Sequence, residues 1–437
     1  MSDEMHEGCG CEEYNALSRR RFLQTSATIT AASMFPAWLP KIALANSYAS
    51  NRDIIVSIFL RGGADGLVLV APFGDPAYYA ARPTIAIPRP DAATNPGVNL
   101  DGFFAFAPAM AGLAPAFAAK DLLVVHGAGI QTNDTRSHFD AQRFMEVGKP
   151  ADATIFTGWL GRHLASIPPA KPAAPLRAIG VATGLQKTLV APAGDPYYAT
   201  HTLPISDPEH FTIGGSSATI AARTGLLQGN FATAEEPLKS AALDAINTVD
   251  LLKAVNFNGY KTENSAVYPT SMFGQALRSV AALIKADVGL EAAQVDADSW
   301  DMHADTGPLN GSMAQLMRDL STAVGAFYAD VIALGKYNVT VIMMSEFGRS
   351  VRENASAGTD HGRGGAMFAI GKGIAGGRVL TKNWKTLDRA NLEDGQDVPV
   401  GIDYRDVLSE IVQKRLGNPN LDFVFPTWKP TTLGVTR

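Results

Sequence analysis

The stretch DIIVSIFLRGGADG, Asp53 to Gly66, decides the fold class. Its first eight residues are apolar except Asp53 and Ser57, and four of them are Ile or Val. A run this short, closed by glycines, reads as a strand buried on both faces, the pattern of a parallel sheet covered by helices. Similar runs recur at Asp121–Gly127, Leu176–Ala182, Asn338–Glu346 and Ala366–Gly371. Helical periodicity separates them at Ser137–Val147, Ser271–Ala286, Ser312–Gly335 and Tyr404–Gly417. Strands alternating with helices predict an α/β fold, a central, mostly parallel sheet with helices on both faces. In such sheets ligands gather beyond the carboxyl ends of the strands. The turn-rich segment from about 185 to 270 breaks this rhythm and is expected to be a cap or insertion, with a helix from Glu235 to Ala254.

Upstream, SRRRFLQ (Ser18–Gln24) precedes a mildly apolar small-residue stretch that ends in ALA at Ala43–Ala45. These elements in this order predict a twin-arginine export signal over residues 1–45 and a mature domain over 46–437, delivered to the periplasm or beyond. Pro36 and Pro40 break the apolar run, which falls short of the ~20 residues a spanning helix needs, and no later segment is a candidate span. The expected partner in export is the twin-arginine translocase.

Both cysteines, Cys9 and Cys11, lie in the leader, so the mature chain has no disulfide, thiol nucleophile or thiolate metal site. Any metal must be held by nitrogen and oxygen ligands. The whole chain carries 37 Lys and Arg against 42 Asp and Glu, a net charge of −5, and has no basic field for nucleic acid.

Four polar clusters fall beside the predicted strands or before the long helix. RGGADG places Asp65 in a glycine turn, where it caps its own backbone or ligates a metal. GAGIQTNDTRSHFDAQ carries Thr132, Thr135, Arg136, Ser137 and His138. Ser137 opens a helix and reads as an N-cap, but a helix start also favours an anion and suits a nucleophile. Thr132 and Thr135 are rival hydroxyls, and Arg136 is able to grip an anion's oxygens. His138 reads as a ligand or a helix-surface residue. DADSWDMHADTG puts Asp301 two residues before His303, so that in an extended segment both reach one ion. SEFGRSVRENASAGTDHG supplies Glu346 as a supporting residue or extra ligand, and the adjacent pair Asp360–His361. Arg349 and Arg363 read as anion clamps or solvated surface residues.

FLRGGADGL, SHFDAQ, WDMHAD, SEFGR and GTDHG, in this order behind such a leader, resemble an uncharacterised family of twin-arginine-exported bacterial proteins. That family is grouped with the alkaline phosphatase and sulfatase superfamily. The resemblance implies an alkaline-phosphatase-like three-layer sandwich binding one or two divalent metals at the strand ends. Asp65 then resembles the superfamily's first-strand metal ligand and Ser137 its nucleophile. Asp301 with His303, and Asp360 with His361, resemble its two ligand pairs. The first pair is spaced more closely than the superfamily's, no final histidine ligand follows His361, and the sulfatase signature is absent. The expectation is an exported hydrolase of phosphate or sulfate esters, small or polymeric, using Zn²⁺, Mn²⁺, Mg²⁺ or Ca²⁺. The alternative is a non-catalytic binding or structural protein on the same scaffold. A cofactor-dependent oxidoreductase finds no glycine fingerprint after a strand.

Overall fold

Alternate residues of the first strand, β1 (Ile54–Leu60), enter two different cores. Val56, Ile58 and Leu60 pack on one side, and Ile55 and Phe59 on the other. Successive strand side chains point to opposite faces, so a strand apolar at nearly every position must be covered twice. Helices do the covering. Met272–Lys285 and Ser312–Phe327 close one face with residues such as Leu277, Val280, Met317 and Val324. His138–Val147, Trp159–Ala165 and Tyr404–Lys414 close the other through Met145, Leu160, Leu408 and Ile411. The result is the three-layer α/β arrangement expected from the apolar runs.

This computed structural model describes residues 52–133, 135–172, 174–193, 201–236 and 238–437. The leader expected over residues 1–45 and its cleavage position lie outside the described residues. In chain order the further strands are β2 (Val70–Ala71), β3 (Val98–Asn99), β4 (Ala105–Phe106), β5 (Leu122–Gly129), β6 (Ala178–Val181) and β7 (Thr202–Pro204). They continue with β8 (Ala292–Ala297), β9 (Val339–Met344), β10 (Gly365–Ile370), β11 (Arg378–Leu380) and β12 (Ile402–Asp403). β2, β4 and β3 form a small antiparallel sheet. The main sheet has the order β11-β5-β10-β9-β1-β8-β6-β7, with β12 also pairing with β5.

All of its pairings are parallel except those of β10, which runs antiparallel to both β5 and β9. That reversal matters for the site. The loops after β1, β5, β8 and β9 leave from one edge of the sheet, and the segment before β10 arrives at the same edge. Sequence reading passes over β8, because Gln294 and Asp296 interrupt its apolar pattern. The irregular region contributes β7 as an edge strand and two helices, Ser217–Ala232 and Leu238–Ala254. Among the described residues no helix is long and apolar enough to cross a membrane.

Candidate metal centre

Four chain segments meet at this edge. Ser137 caps the helix His138–Val147, its hydroxyl accepting the Asp140 N–H at 3.4 Å, so that His138 takes the first helical position. The loop after β8 carries Asp301 and His303, β9 ends just before Glu346, and Asp360–His361 lead into β10. Glycines let the loops interlock. A Cβ on Gly62, whose φ is +116°, would lie 2.5 Å from the Asp301 backbone nitrogen, and one on Gly358 would lie 2.2 Å from the His303 carbonyl. Only glycine allows both approaches.

Two imidazoles, those of His138 and His361, and the Asp301 carboxylate form a compact group, and a third imidazole, His303, stands at its edge beside His361 and Asp301. The His361 Nε2 lies 3.0 Å from the Nε2 atoms of both His138 and His303. Asp301 places Oδ1 3.0 Å from His303 Nε2 and 3.4 Å from His361 Nε2, and Oδ2 3.3 Å from His138 Nε2. Ligand atoms of His138, Asp301 and His361 all lie within 4.8 Å of one another.

The other ring nitrogens decide what these contacts are. His361 Nδ1 lies 2.7 Å from the Arg136 carbonyl, which only accepts, so the ring proton sits on Nδ1. His138 Nδ1 lies 2.8 Å from Glu346 Oε1. Glu346 is fully buried, and burial alone would raise its pKa, but hydrogen bonds from Gln142 and His138 hold it below the usual value. An ionised carboxylate only accepts, so His138 also carries its proton on Nδ1. His303 Nδ1 lies 3.3 Å from Asp360 Oδ1, while its Nε2 faces a guanidinium nitrogen of Arg349 at 3.4 Å, which only donates. In their neutral forms, then, all three rings turn Nε2 lone pairs toward one another. Burial, which outweighs the Arg136 carbonyl and is reinforced by Arg349, lowers the His361 pKa and favours the neutral ring. Asp301 is ionised: burial opposes this, but the hydrogen bond and charge of Arg349 hold its pKa at about 2.

The lone pairs of His138 and His361 and the Asp301 carboxylate, with His303 beside them, repel one another unless a positive charge sits among them. The donor set fits a divalent cation. Each histidine donates its remote N–H to a carboxylate or carbonyl, as metal-ligating histidines do. The nitrogen-rich set suits Zn²⁺, Mn²⁺ or another transition ion better than Mg²⁺ or Ca²⁺, which prefer oxygen.

Several expectations change here. Asp65 stands outside this group. It is 2% exposed, caps the short helix Gly66–Leu69 and pairs with the buried Arg82 at 2.8 Å. Its turn holds the chain together, and its second oxygen faces Thr359 rather than the histidines. His138, which read as either a ligand or a helix-surface residue, joins the cluster itself. Asp360 reaches His303 from outside, with a largely exposed side chain. Arg349 is 2% exposed rather than a solvated surface residue. It donates to the Gly62, Gly63 and Thr359 carbonyls and to Asp301 at 2.6 Å. Arg363 is 8% exposed and pairs with Glu393. Arg136 pairs with Asp397 at 2.7 Å, so its carbonyl rather than its charge serves the cluster. Thr132 accepts from Arg405, and Thr135 from the Ser137 N–H. Gln142, one turn beyond His138, donates to Glu346 at 2.9 Å. The signal for it was present: residues four apart share a helix face.

A family model matches residues 52–414. The chain belongs to that family, DUF1501, described as a protein of unknown function. A comparison with curated proteins finds no match. Among solved structures, the alkaline phosphatase from the Antarctic bacterium TAB5 is 10% identical with a TM-score of 0.28, covering 76% of this chain and 96% of that one. A mutant of the same enzyme, with Mg bound in its M3 site, is 11% identical with a TM-score of 0.30, covering 76% and 95%. At that level of superposition, the function of this family member has to be read from its own residues.

Proposed function

We propose that this protein is a metal-dependent hydrolase of phosphate or sulfate esters that works outside the cytoplasm after twin-arginine export. One observation carries the proposal: ligand atoms of His138, His361 and Asp301 gather at an edge open to solvent, with His303 against them. His138, His303, His361 and Asp301 would hold the ion. When bound, a divalent cation supplies Lewis-acid polarisation of an ester oxygen and neutralises charge that develops on it.

The chain's own residues have separate tasks. Glu346, Asp360 and the Arg136 carbonyl hold the three Nδ1 protons and so keep each Nε2 free. Arg349 keeps Asp301 ionised and ties it to the loop after β1. Asp301 and His303 are roughly half exposed, which leaves room for substrate. Phe139, beside His138, is 88% exposed and offers an apolar surface next to the ligand cluster.

Solvent water is the attacking group in this reading, because the Ser137 hydroxyl serves as the helix cap. Ser137→Ala is therefore expected to cost about 1 kcal/mol of stability, the usual value of an N-cap, and to leave turnover within a few-fold of wild type. A burst of product or a loss of several orders of magnitude in the variant would restore Ser137 as nucleophile. Glu346→Gln keeps the shape but removes the charge that fixes the His138 proton. Metal affinity should drop roughly 10- to 100-fold, the usual effect of losing such a partner. Competition with a chromogenic chelator measures it, and an unchanged affinity would detach Glu346 from the site.

Elemental analysis of the purified protein, followed by a panel of aryl phosphate and sulfate esters, tests the proposal. A metal-free protein that ignores added zinc and manganese would overturn it. A protein that binds metal but turns over no ester would favour the non-catalytic alternative. Two clefts, of about 450 and 370 Å³, lie away from the four ligand residues.

A further inference from the structure

The smaller of these clefts lies on the outer side of β5 and has a chemistry of its own. Trp384, Leu392 and Val398 give it apolar walls, and Gln131, Lys382 and Lys385 stand around them. No Asp or Glu lines it, in a chain whose net charge is −5. Neither lysine forms an ion pair among the described residues, although Lys382 feels the charge of Asp406. The Trp384 indole N–H is buried and has no hydrogen-bond partner. A buried donor without a partner is uncommon in a folded protein and calls for a ligand or a water.

His126 forms the floor and offers nothing that would compete. Its Nδ1 accepts the Gly127 N–H at 3.0 Å, which leaves Nε2 to donate to the Val70 carbonyl, also at 3.0 Å. Burial holds its pKa down at about 4, so the ring stays neutral and packs edge-on against Trp384 with centroids 4.8 Å apart. The cleft therefore combines an aromatic and aliphatic lining with two cationic side chains. Its volume of about 370 Å³ falls within the range of small-molecule sites.

We infer that this cleft binds a small organic anion, its carboxylate or phosphate held by Lys382 and Lys385 and its apolar body laid against Trp384. Ammonium groups recognise either anion as a point charge, and the absence of carboxylates favours a negative ligand. The inference is independent of the metal centre, since none of the four ligand residues lines the cleft.

Calorimetric titration of the full protein with phenylphosphonate, benzoate and uncharged benzyl alcohol tests it. Phenylphosphonate, benzoate or both should bind, and benzyl alcohol at least tenfold more weakly. Binding of phenylphosphonate but not benzoate assigns a phosphate-like headgroup, and the reverse assigns a carboxylate. Lys382→Met and Lys385→Met, exposed substitutions that keep the aliphatic stem, should each weaken binding about tenfold, the value of one charge-assisted contact. Trp384→Ala, which removes the aromatic wall, should weaken it several-fold. The His361→Ala variant should keep the binding that depends on Lys382 and Lys385, whether or not the metal centre also takes up phenylphosphonate. No binding of either anion, equal binding of benzyl alcohol, indifference to both lysine variants, or loss of the lysine-dependent binding in His361→Ala would each overturn the assignment.

Discussion

His361→Ala is expected to strip the divalent ion from the purified protein and to reduce ester turnover to the level of the metal-free chain. The reason is its position. His361 Nε2 is the common neighbour of the cluster, 3.0 Å from His138 and from His303 and 3.4 Å from Asp301. Removing it takes out the central donor and leaves the remaining three spread around a gap. The fold should survive, because the ring is partly exposed and its backbone is held through Arg349 and Ser350. Two measurements check this. Elemental analysis should show metal in the wild type and none in the variant. Thermal unfolding should respond to added zinc in the wild type only, since a ligand at about 1,000 times its Kd adds about 4 kcal/mol to the state that binds it. A variant that retains metal and the zinc response would place the ion elsewhere.

Asp65→Ala should have the largest effect on stability, with little on metal content. Asp65 and Arg82 are an ion pair with side-chain exposures of 3% and 0%, and Arg82 also donates to the Ser350 and Val351 carbonyls. Removing the carboxylate leaves a buried guanidinium without its counter-charge, which costs about 3–5 kcal/mol. It also removes the cap of the helix Gly66–Leu69. Urea denaturation reads the first effect, and elemental analysis of the folded fraction reads the second. The double variant Asp65→Ala/Arg82→Met should recover part of the loss, because it leaves no unpaired charge. If Asp65→Ala keeps its stability but loses metal, the carboxylate is a ligand after all and the cap reading fails.

The sheet was legible because its strands are apolar at almost every position, and only burial on both faces accounts for that. β8 was the exception. Its Gln294 and Asp296 lie among apolar residues and pair with each other at 3.0 Å, a contact that no one-dimensional pattern displays. The site was legible in part. Asp301, His303 and His361 stood out as carboxylates and imidazoles in glycine-flanked loops, and all three belong to the cluster. Asp65 stood out for the same reason and does not belong. A glycine turn with an aspartate looks alike whether it caps a helix or faces an ion, and only the buried Arg82 seventeen residues on separates the two readings. Arg349 was misread because arginine is usually a surface residue. Here three backbone carbonyls and Asp301 surround its guanidinium and make burial tolerable.

By itself the sequence determined the layered α/β architecture, the exclusion of thiol chemistry from residues 46–437, and the short set of side chains able to hold a cation. Tertiary structure decided which of them meet. His138 and His361 lie 223 residues apart and come within 3.0 Å only because β10 runs against its neighbours. That reversal brings the segment before one strand to the edge where the others end. The protonation pattern was decided there too, since a carbonyl, a buried carboxylate and a guanidinium from distant segments set which nitrogen of each ring is left free.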